Sequence, residues 1–554
     1  MSEFGKLMQT KNLLNIKIFT VLFFIIIFLL GLNLFKDYGI YTDDLFQRNN
    51  ALFWYEYVKS FILEPGLSFT GNLDNLIKQN IKDEISLINT STLPSLQPVA
   101  LGIFCELFID LFNIESNKSI YQTRHLFNFI IYLVGLCFFY KLINKRFKSY
   151  LFSFIGVLFL LLTPRFFAQS FYNSQDIFFL SLTIINMYTG INFLEKPNFK
   201  NTLTFSLSSG LAFDTRIMAV LSVTLILGFF SLKSLRSKEY FKSNLKYFFY
   251  SIFFTFFFII VFWPYLWVNP ISNFLFAVSE LSTAAFLVIN LYMGKFILST
   301  NIPSHYHVIW IVITTPLIVI TLFFYGSFLL LRRIFFRLSK LNENLNDLWR
   351  GNREMFDIYF LMMILLSILA LMYRGLGYTG WRHLYFIYPS IIMISLYGFY
   401  YLHSIIKSNI IRAITYFLII INLTYLAYWN YNFHPHQYAY FNLMFKKNFH
   451  KDFDMDYWGL SNKSAIEYII NNNDYPVTIG TKSFSSLEKS SLILKDEDRN
   501  KILITHNLNE ADFIITNYMR RRNKDFVINK TKYKKYYEVL VDNKAINTVY
   551  KKIK

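Results

Sequence analysis

Charge is scarce in this chain, so the places where acids and bases gather are the places to look for chemistry. Tyr41-Thr42-Asp43-Asp44 sets two carboxylates side by side just past the first long apolar run, 16–35. A carboxylate is costly to hold in hydrocarbon, so such a pair is either solvated at a helix end or lines a polar cleft. Adjacent side chains diverge by about 100° on a helix, so the two acids serve different directions. Other ionisable groups fall at matching places. Arg124 and His125 open the second apolar run, Arg165 to Asp176 fills the next loop on that side, and Asp214 with Arg216 makes a tight turn. His305 and His307 precede a later run, and Arg382-His383 another. The middles of nearly all the runs lack Asp, Glu, Lys and Arg, whereas channels and proton-coupled transporters place ionisable groups near mid-membrane. The pattern describes a cleft at one membrane surface, suited to a substrate with a polar head outside and a lipid tail within.

The elements that must position these residues are membrane helices. Of 554 residues, 54% are hydrophobic and only 16% charged, far on the apolar side of a soluble domain. The net charge of +20 resides in loops and a tail and does not imply nucleic acid. Cys105 and Cys137 lie in apolar stretches without CxxC spacing, which implies neither a disulfide framework nor a zinc knuckle. The basic start, Lys6, Lys11 and Lys17, before an apolar run with no small-residue cleavage site, predicts a retained signal anchor.

Hydropathy predicts further spans at 121–142, 150–163, 177–194, 203–213, 217–232, 247–268, 306–331, 355–372, 384–402 and 411–430, about eleven with the first. The loops that this count places inside hold Lys141 to Arg146, Lys233 to Lys246, Arg332 to Arg353 and Lys407 to Arg412, which satisfies the positive-inside rule. Segments 44–63 and 99–112 mix charge with apolar residues and read as helices lying along the bilayer surface within a first outer loop, 36–120. Composition divides the chain into a membrane domain, 1–445, and a small α/β domain, 446–554, on the outer side. In the latter, Ser461 is expected to cap a helix, and 537–550 to form two strands about Asp542-Asn543-Lys544. Arg520-Arg521-Arg522 is a solvated face or a contact for anionic lipid.

The order of these motifs resembles the membrane glycosyltransferases of the GT-C fold, in the branch of the protein O-mannosyltransferases and the lipid A aminoarabinose transferases. The resemblance rests on the acid pair after the first helix, on an interfacial helix after Leu93-Pro94-Ser95-Leu96-Gln97-Pro98, and on the loop 163–176 with its second acid. Ile302-Pro303-Ser304-His305-Tyr306-His307, Gly380-Trp381-Arg382-His383 and His434-Pro435-His436-Gln437-Tyr438 are further matches. The family often has Asp-Glu where this chain has Asp43-Asp44, and His-Pro-Pro-Leu where it has Leu93-Pro94-Ser95-Leu96.

The resemblance implies a helical, polytopic enzyme that moves a sugar from a polyprenyl-phosphate donor to a hydroxyl of a glycan, lipid or protein acceptor, with inversion, at the extracytoplasmic face of a bacterial inner membrane. It implies Asp43 as base with Asp44 next to it, and Asp176 to orient the acceptor or a cation. Arg124, Arg165, Arg382, His383 and His305 become candidates for the lipid phosphate, and Asn173, Tyr306 and Trp381 for the acceptor or sugar. No motif demands a cofactor, and a divalent cation remains an alternative. The competing readings are a lipid-sugar flippase, which needs polar groups inside the spans, and an inert anchor for the outer tail.

Overall fold

The structure, a computed structural model, describes residues 3–63, 99–283, 287–339, 348–445, 449–473, 476–483, 485–519 and 528–553. Leu93 to Pro98 and Arg520-Arg521-Arg522 lie outside the described residues. The helices are α1 (Glu3–Leu34), α2 (Asp44–Leu63), α3 (Ala100–Leu111), α4 (Asn117–Phe147), α5 (Tyr150–Leu162), α6 (Pro164–Tyr172), α7 (Asp176–Glu195), α8 (Phe199–Phe213), α9 (Val220–Arg236) and α10 (Lys238–Phe262). They continue with α11 (Pro270–Thr283), a short hairpin β1 (Ile289–Tyr292) and β2 (Lys295–Leu298), then α12 (Tyr306–Thr314), α13 (Leu317–Leu338), α14 (Gly351–Arg374), α15 (Tyr388–Ile405) and α16 (Asn409–Asn432).

Among the described residues, nine helices are long and apolar enough to cross a membrane, and a bent pair makes a tenth. The chain is a multi-pass membrane protein. The count departs from the expected eleven for local reasons. The run 150–163 is a 13-residue helix, α5, which turns by 69° into α6 at Thr163-Pro164, because proline cannot continue the helical hydrogen-bond ladder. The run 306–331 likewise breaks at Thr315-Pro316 into α12 and α13, and α13 supplies the span by itself. α8 has only 15 residues, below the length of an untilted span. It nevertheless packs antiparallel to α7, with Asn201 Nδ2 donating to the Asn192 carbonyl at one end and Arg216 meeting Asp176 at the other, and parallel to α10, where Ser206 meets the Ser251 carbonyl and Gly210 meets Phe258.

One polar cluster inside the bundle is paired across helices, as packing between membrane helices favours. Asn186 of α7 donates to Ser209 of α8 at 2.8 Å and accepts from Ser222 of α9 at 2.6 Å. Ser222 also lies 3.1 Å from the Tyr359 hydroxyl of α14. α13 and α15 cross at Gly326 and Gly398, where a Cβ on Gly326 would sit 2.2 Å from the Ile394 carbonyl oxygen; no larger residue fits there.

The C-terminal region forms a five-stranded sheet in the order β4-β3-β5-β7-β6, with β3 (Val477–Thr481), β4 (Ile502–Ile504), β5 (Phe513–Thr516), β6 (Tyr533–Val541) and β7 (Lys544–Lys552). β3 is parallel to β4 and β5, while β7 is antiparallel to β5 and β6. The hairpin between β6 and β7 turns at Asp542 and Asn543, both at positive φ, as a two-residue turn matched to strand twist demands. α17 (Ser461–Asn471) covers this sheet. Ser461 does not cap it: Leu460 stands at the cap, and the Ser461 hydroxyl donates to Asp456 and accepts from Asn547. Phe449, Phe453, Tyr457, Trp458 and Leu460 belong to the core of the helical bundle, whereas Ala465, Ile466 and Ile469 begin the sheet's own core.

Candidate active site

The acid pair is positioned by a loop fastened from the far end of the sequence. Tyr38 donates its hydroxyl to Gln437 at 3.1 Å, and Lys463 Nζ donates to the Lys36 and Asp37 carbonyls at 2.9 and 2.8 Å. Thr42 donates to the Trp458 carbonyl at 2.9 Å. Gly39 lets the two backbones close, because a Cβ there would stand 2.9 Å from the Leu460 carbonyl oxygen.

α2 begins at Asp44, and Asp43 and Asp44 diverge as neighbouring side chains must. Asp44 turns inward, where Arg124 donates to its Oδ1 from Nη2 at 2.9 Å and from Nε at 3.3 Å. The same guanidinium donates from Nη1 to Glu106 Oε1 at 2.7 Å, and Arg48 stands 3.9 Å from Glu106 Oε2. Asp44, Glu106 and Arg124 are all buried. Burial raises the Asp44 and Glu106 carboxyls, and the Arg124 guanidinium acts against it in both. Replacing one partner of such a pair leaves a buried charge exposed to the full desolvation cost.

Asp43 turns outward. Its Oδ2 accepts from Arg382 Nη1 at 2.7 Å, and 37% of its side chain stays exposed while the Arg382 side chain is only 6% exposed. Arg382 lies over the Tyr378 ring at 4.9 Å and the Trp458 ring at 5.6 Å, and the charge of Asp176 reaches it as well as that of Asp43. Stacking on aromatic faces fixes the guanidinium plane without using its hydrogen-bond donors.

Asp176 opens α7 and is buried. Arg216 holds its Oδ1, and Asn173 Nδ2 donates to its Oδ2 at 2.8 Å. Asn173 also accepts from the Asp176 backbone N–H at 2.9 Å and donates to Gln169 at 2.9 Å. Asn128, with its amide oxygen toward the loop, accepts from the backbone N–H groups of Tyr172, Asn173 and Ser174 at 3.3, 2.9 and 3.2 Å. Tyr41 reaches Ser174 hydroxyl to hydroxyl at 3.2 Å, which joins the loop 173–176 to the loop bearing Asp43.

Not every residue singled out in the sequence faces this cluster. Arg165 is buried, donates to the Tyr440 carbonyl at 3.1 Å, and lies against the Trp310 and Phe441 rings at 5.3 and 5.0 Å. Trp381 is buried, donates from Nε1 to Thr314 at 2.8 Å, and packs on Phe166 and Tyr385. Tyr306 is buried between Tyr292 and Trp310, and His305 is exposed beside Tyr292. None of these four hydrogen-bonds to or forms an ion pair with Asp43, Asp44 or Asp176 among the described residues. His383 follows Arg382 with its ring edge-on to Tyr378 at 4.8 Å.

Two members of the cluster were hidden in the sequence. Glu106 read as an acid on a surface helix, yet it is the second carboxylate on Arg124. Trp458 lies past the compositional boundary, yet it carries Arg382 and meets Tyr41 at 5.6 Å. The aromatic pair Tyr457-Trp458 ahead of Gly459, which sits at φ 72°, was the available signal for a buried turn. Among the described residues, no group of three or more His, Cys, Asp or Glu side chains is arranged to hold a metal ion.

No curated protein sequence matches the chain. Among solved structures, ArnT from Cupriavidus metallidurans in the apo state is similar with a TM-score of 0.46 at 10% identity, over 90% of this chain and 86% of that one. The same protein bound to undecaprenyl phosphate gives 0.45 at 9% identity, over 96% and 97%. Residues 97–263, from α3 through α10, match the family model of dolichyl-phosphate-mannose-protein mannosyltransferases, in the branch that the sequence motifs resemble.

Proposed function

We propose that this protein is a membrane glycosyltransferase that moves a sugar from a polyprenyl-phosphate carrier to a hydroxyl acceptor at the extracytoplasmic face. The family match over 97–263 supports the reaction class. The observation that carries the choice of base is the contrast within the acid cluster. Asp43 keeps 37% of its side chain exposed, while the Asp44, Glu106 and Asp176 side chains keep 2%, 1% and 1%. A general base must come within hydrogen-bond reach of the proton it removes, and only Asp43 among these offers an approach.

In this mechanism the acceptor oxygen attacks the anomeric carbon of the donor sugar as its proton passes to Asp43. The bond between that carbon and the phosphate oxygen breaks on the opposite side, and configuration inverts. The electron pair leaves on the carrier phosphate, where Arg382, with His383 beside it, stabilises the growing negative charge. Arg124 and Arg216 act one step back by holding Asp44 and Asp176, and Asp176 with Asn173 shapes the loop that faces the base. The basic helix ends and loops, with Arg146 in α4 and Arg333 and Arg337 in α13, lie at the opposite end of the bundle, which by the positive-inside rule supports a cytoplasmic location for that end.

The test is incubation of the purified protein with a panel of polyprenyl-phosphate hexoses and pentoses and with glycan, lipid and peptide acceptors, with and without chelator. Mass analysis should find an acceptor heavier by one sugar and free polyprenyl phosphate in equal amount. Unchanged acceptor across the whole panel, with translocation of the donor in vesicles, would favour the flippase.

A further inference from the structure

Four acids of the site each face an arginine, and Asp214 at the same end of the bundle does not among the described residues. Asp43 has Arg382, Asp44 and Glu106 share Arg124, and Asp176 has Arg216. Asp214 follows α8 and is fully buried, and neither of its carboxylate oxygens has a hydrogen-bond partner among the described residues. Arg216, two residues on, points to Asp176 instead. An unpaired buried carboxylate is among the most expensive groups a fold can carry, and such exceptions call for a specific explanation.

Asp214 lines a cavity of about 30 Å³ together with Gln47, Arg124, Ser174, Gln175 and Thr215, and the rest of the wall is apolar. Gln47 lies one turn along α2 from the acid pair, with its N–H on the Asp43 carbonyl at 3.0 Å, so the cavity adjoins the site. Since a water-sized group needs roughly 10–15 Å³, the space admits about two such groups: one edge of a sugar ring rather than a whole ring. The lining also selects the chemistry. The Arg124 guanidinium in the wall disfavours a cation, while a carboxyl, a hydroxyl and amide groups together suit a ligand that both donates and accepts.

We propose that Asp214, buried and without a hydrogen-bond partner, forms with this cavity a subsite for a hydroxyl-bearing edge of the saccharide handled at Asp43. The proposal rests on the transfer reading for the word saccharide, but not for the state of Asp214. Burial, with no charged group acting on it, pushes the Asp214 carboxyl well above the ordinary carboxylate range. The titratable groups on the other walls do not reverse this. Arg124 is engaged by Asp44 and Glu106, and burial pushes the Cys105 thiol up to about 12, so it remains neutral.

The experiment is difference infrared spectroscopy of the full-length protein in nanodiscs at neutral pH. A protonated-carboxyl C=O band should be present in the wild type and absent from Asp214→Asn. It should move on addition of methyl glycosides of a hexose or a pentose, and stay in place with methylammonium. No band attributable to Asp214, a band unmoved by every glycoside, or conversion to carboxylate by methylammonium would each overturn the proposal. In the transfer assay, Asp214→Ala should raise KM for one sugar substrate by roughly tenfold with a smaller change in kcat, and Asp214→Asn should restore most of that loss. A wild type that shows the band shift but transfers no sugar would sink the transferase reading and leave the subsite standing.

Discussion

The bundle carries buried acid–arginine clusters at both ends, and they are built to different standards. At the end with the basic loops, Arg146 donates to both oxygens of Asp357, at 2.6 and 2.8 Å, and Arg333 adds a third donor at 3.3 Å. Arg337 closes on both oxygens of Glu354 in the same way, at 2.5 and 2.9 Å. At the other end the hydrogen bonding is incomplete. Among the described residues Asp44 Oδ2, both oxygens of Asp214, Arg382 Nε, Arg216 Nε and His383 Nδ1 are buried without partners, against Arg333 Nε alone in the first cluster. A fully satisfied network rigidifies a fold, whereas donors and acceptors left open beside an exposed carboxylate are what a polar substrate would complete. The first end holds helices together; the second keeps open donors and acceptors around the carboxylate proposed as the base.

Substitutions that treat the two ends alike would break this contrast, and the largest effect expected is on chemistry. Asp43→Asn keeps the shape but removes the base, so kcat/KM for sugar transfer should fall by about 10²- to 10⁴-fold while the thermal midpoint in detergent stays near that of the wild type. A loss of transfer accompanied by equal unfolding would instead make Asp43 a structural acid. At the far end the effect should reverse. Asp357→Ala strands Arg146 in the bundle and should lower stability by about 3–5 kcal/mol in chemical unfolding, with transfer per folded molecule retained.

The smallest effect concerns pH. The Asp214 carboxyl is raised in the folded state, so the folded protein holds a proton that the unfolded chain gives up at about pH 4. Stability on this account falls as pH rises from the ordinary carboxylate range toward the folded-state pKa. Asp214→Asn lacks that term, so it should melt higher than the wild type at neutral pH, and the gap should close as pH falls below about 4. Melting curves at a series of pH values decide it, and a gap independent of pH would mean that Asp214 is already ionised and paired.

How legible these features were in the sequence follows from physics. Asp43, Asp44 and Asp176 stood out because a carboxylate beside an apolar run is expensive wherever it is not needed. The membrane helices were plain from hydropathy, but their breaks at Pro164 and Pro316 depended on local backbone restriction, which a hydropathy window averages away. The partners of the acids were not legible. Arg382 is 339 residues from Asp43, and the Trp458 carbonyl is 416 from Thr42, separations over which composition and periodicity say nothing. Arg165 is a different case. Its type and loop position suggested phosphate, while only the fold could reveal that aromatic rings and a backbone carbonyl already surround it.

The attachment of Thr42 and Gly39 to Trp458 and Leu460 alters how the tail should be regarded. Removing the sequence after the last membrane helix would not trim an appendage. It would take away the ring beneath Arg382 and release the strap that bears Asp43, so a shortened protein could insert normally and still have lost the support of its proposed base.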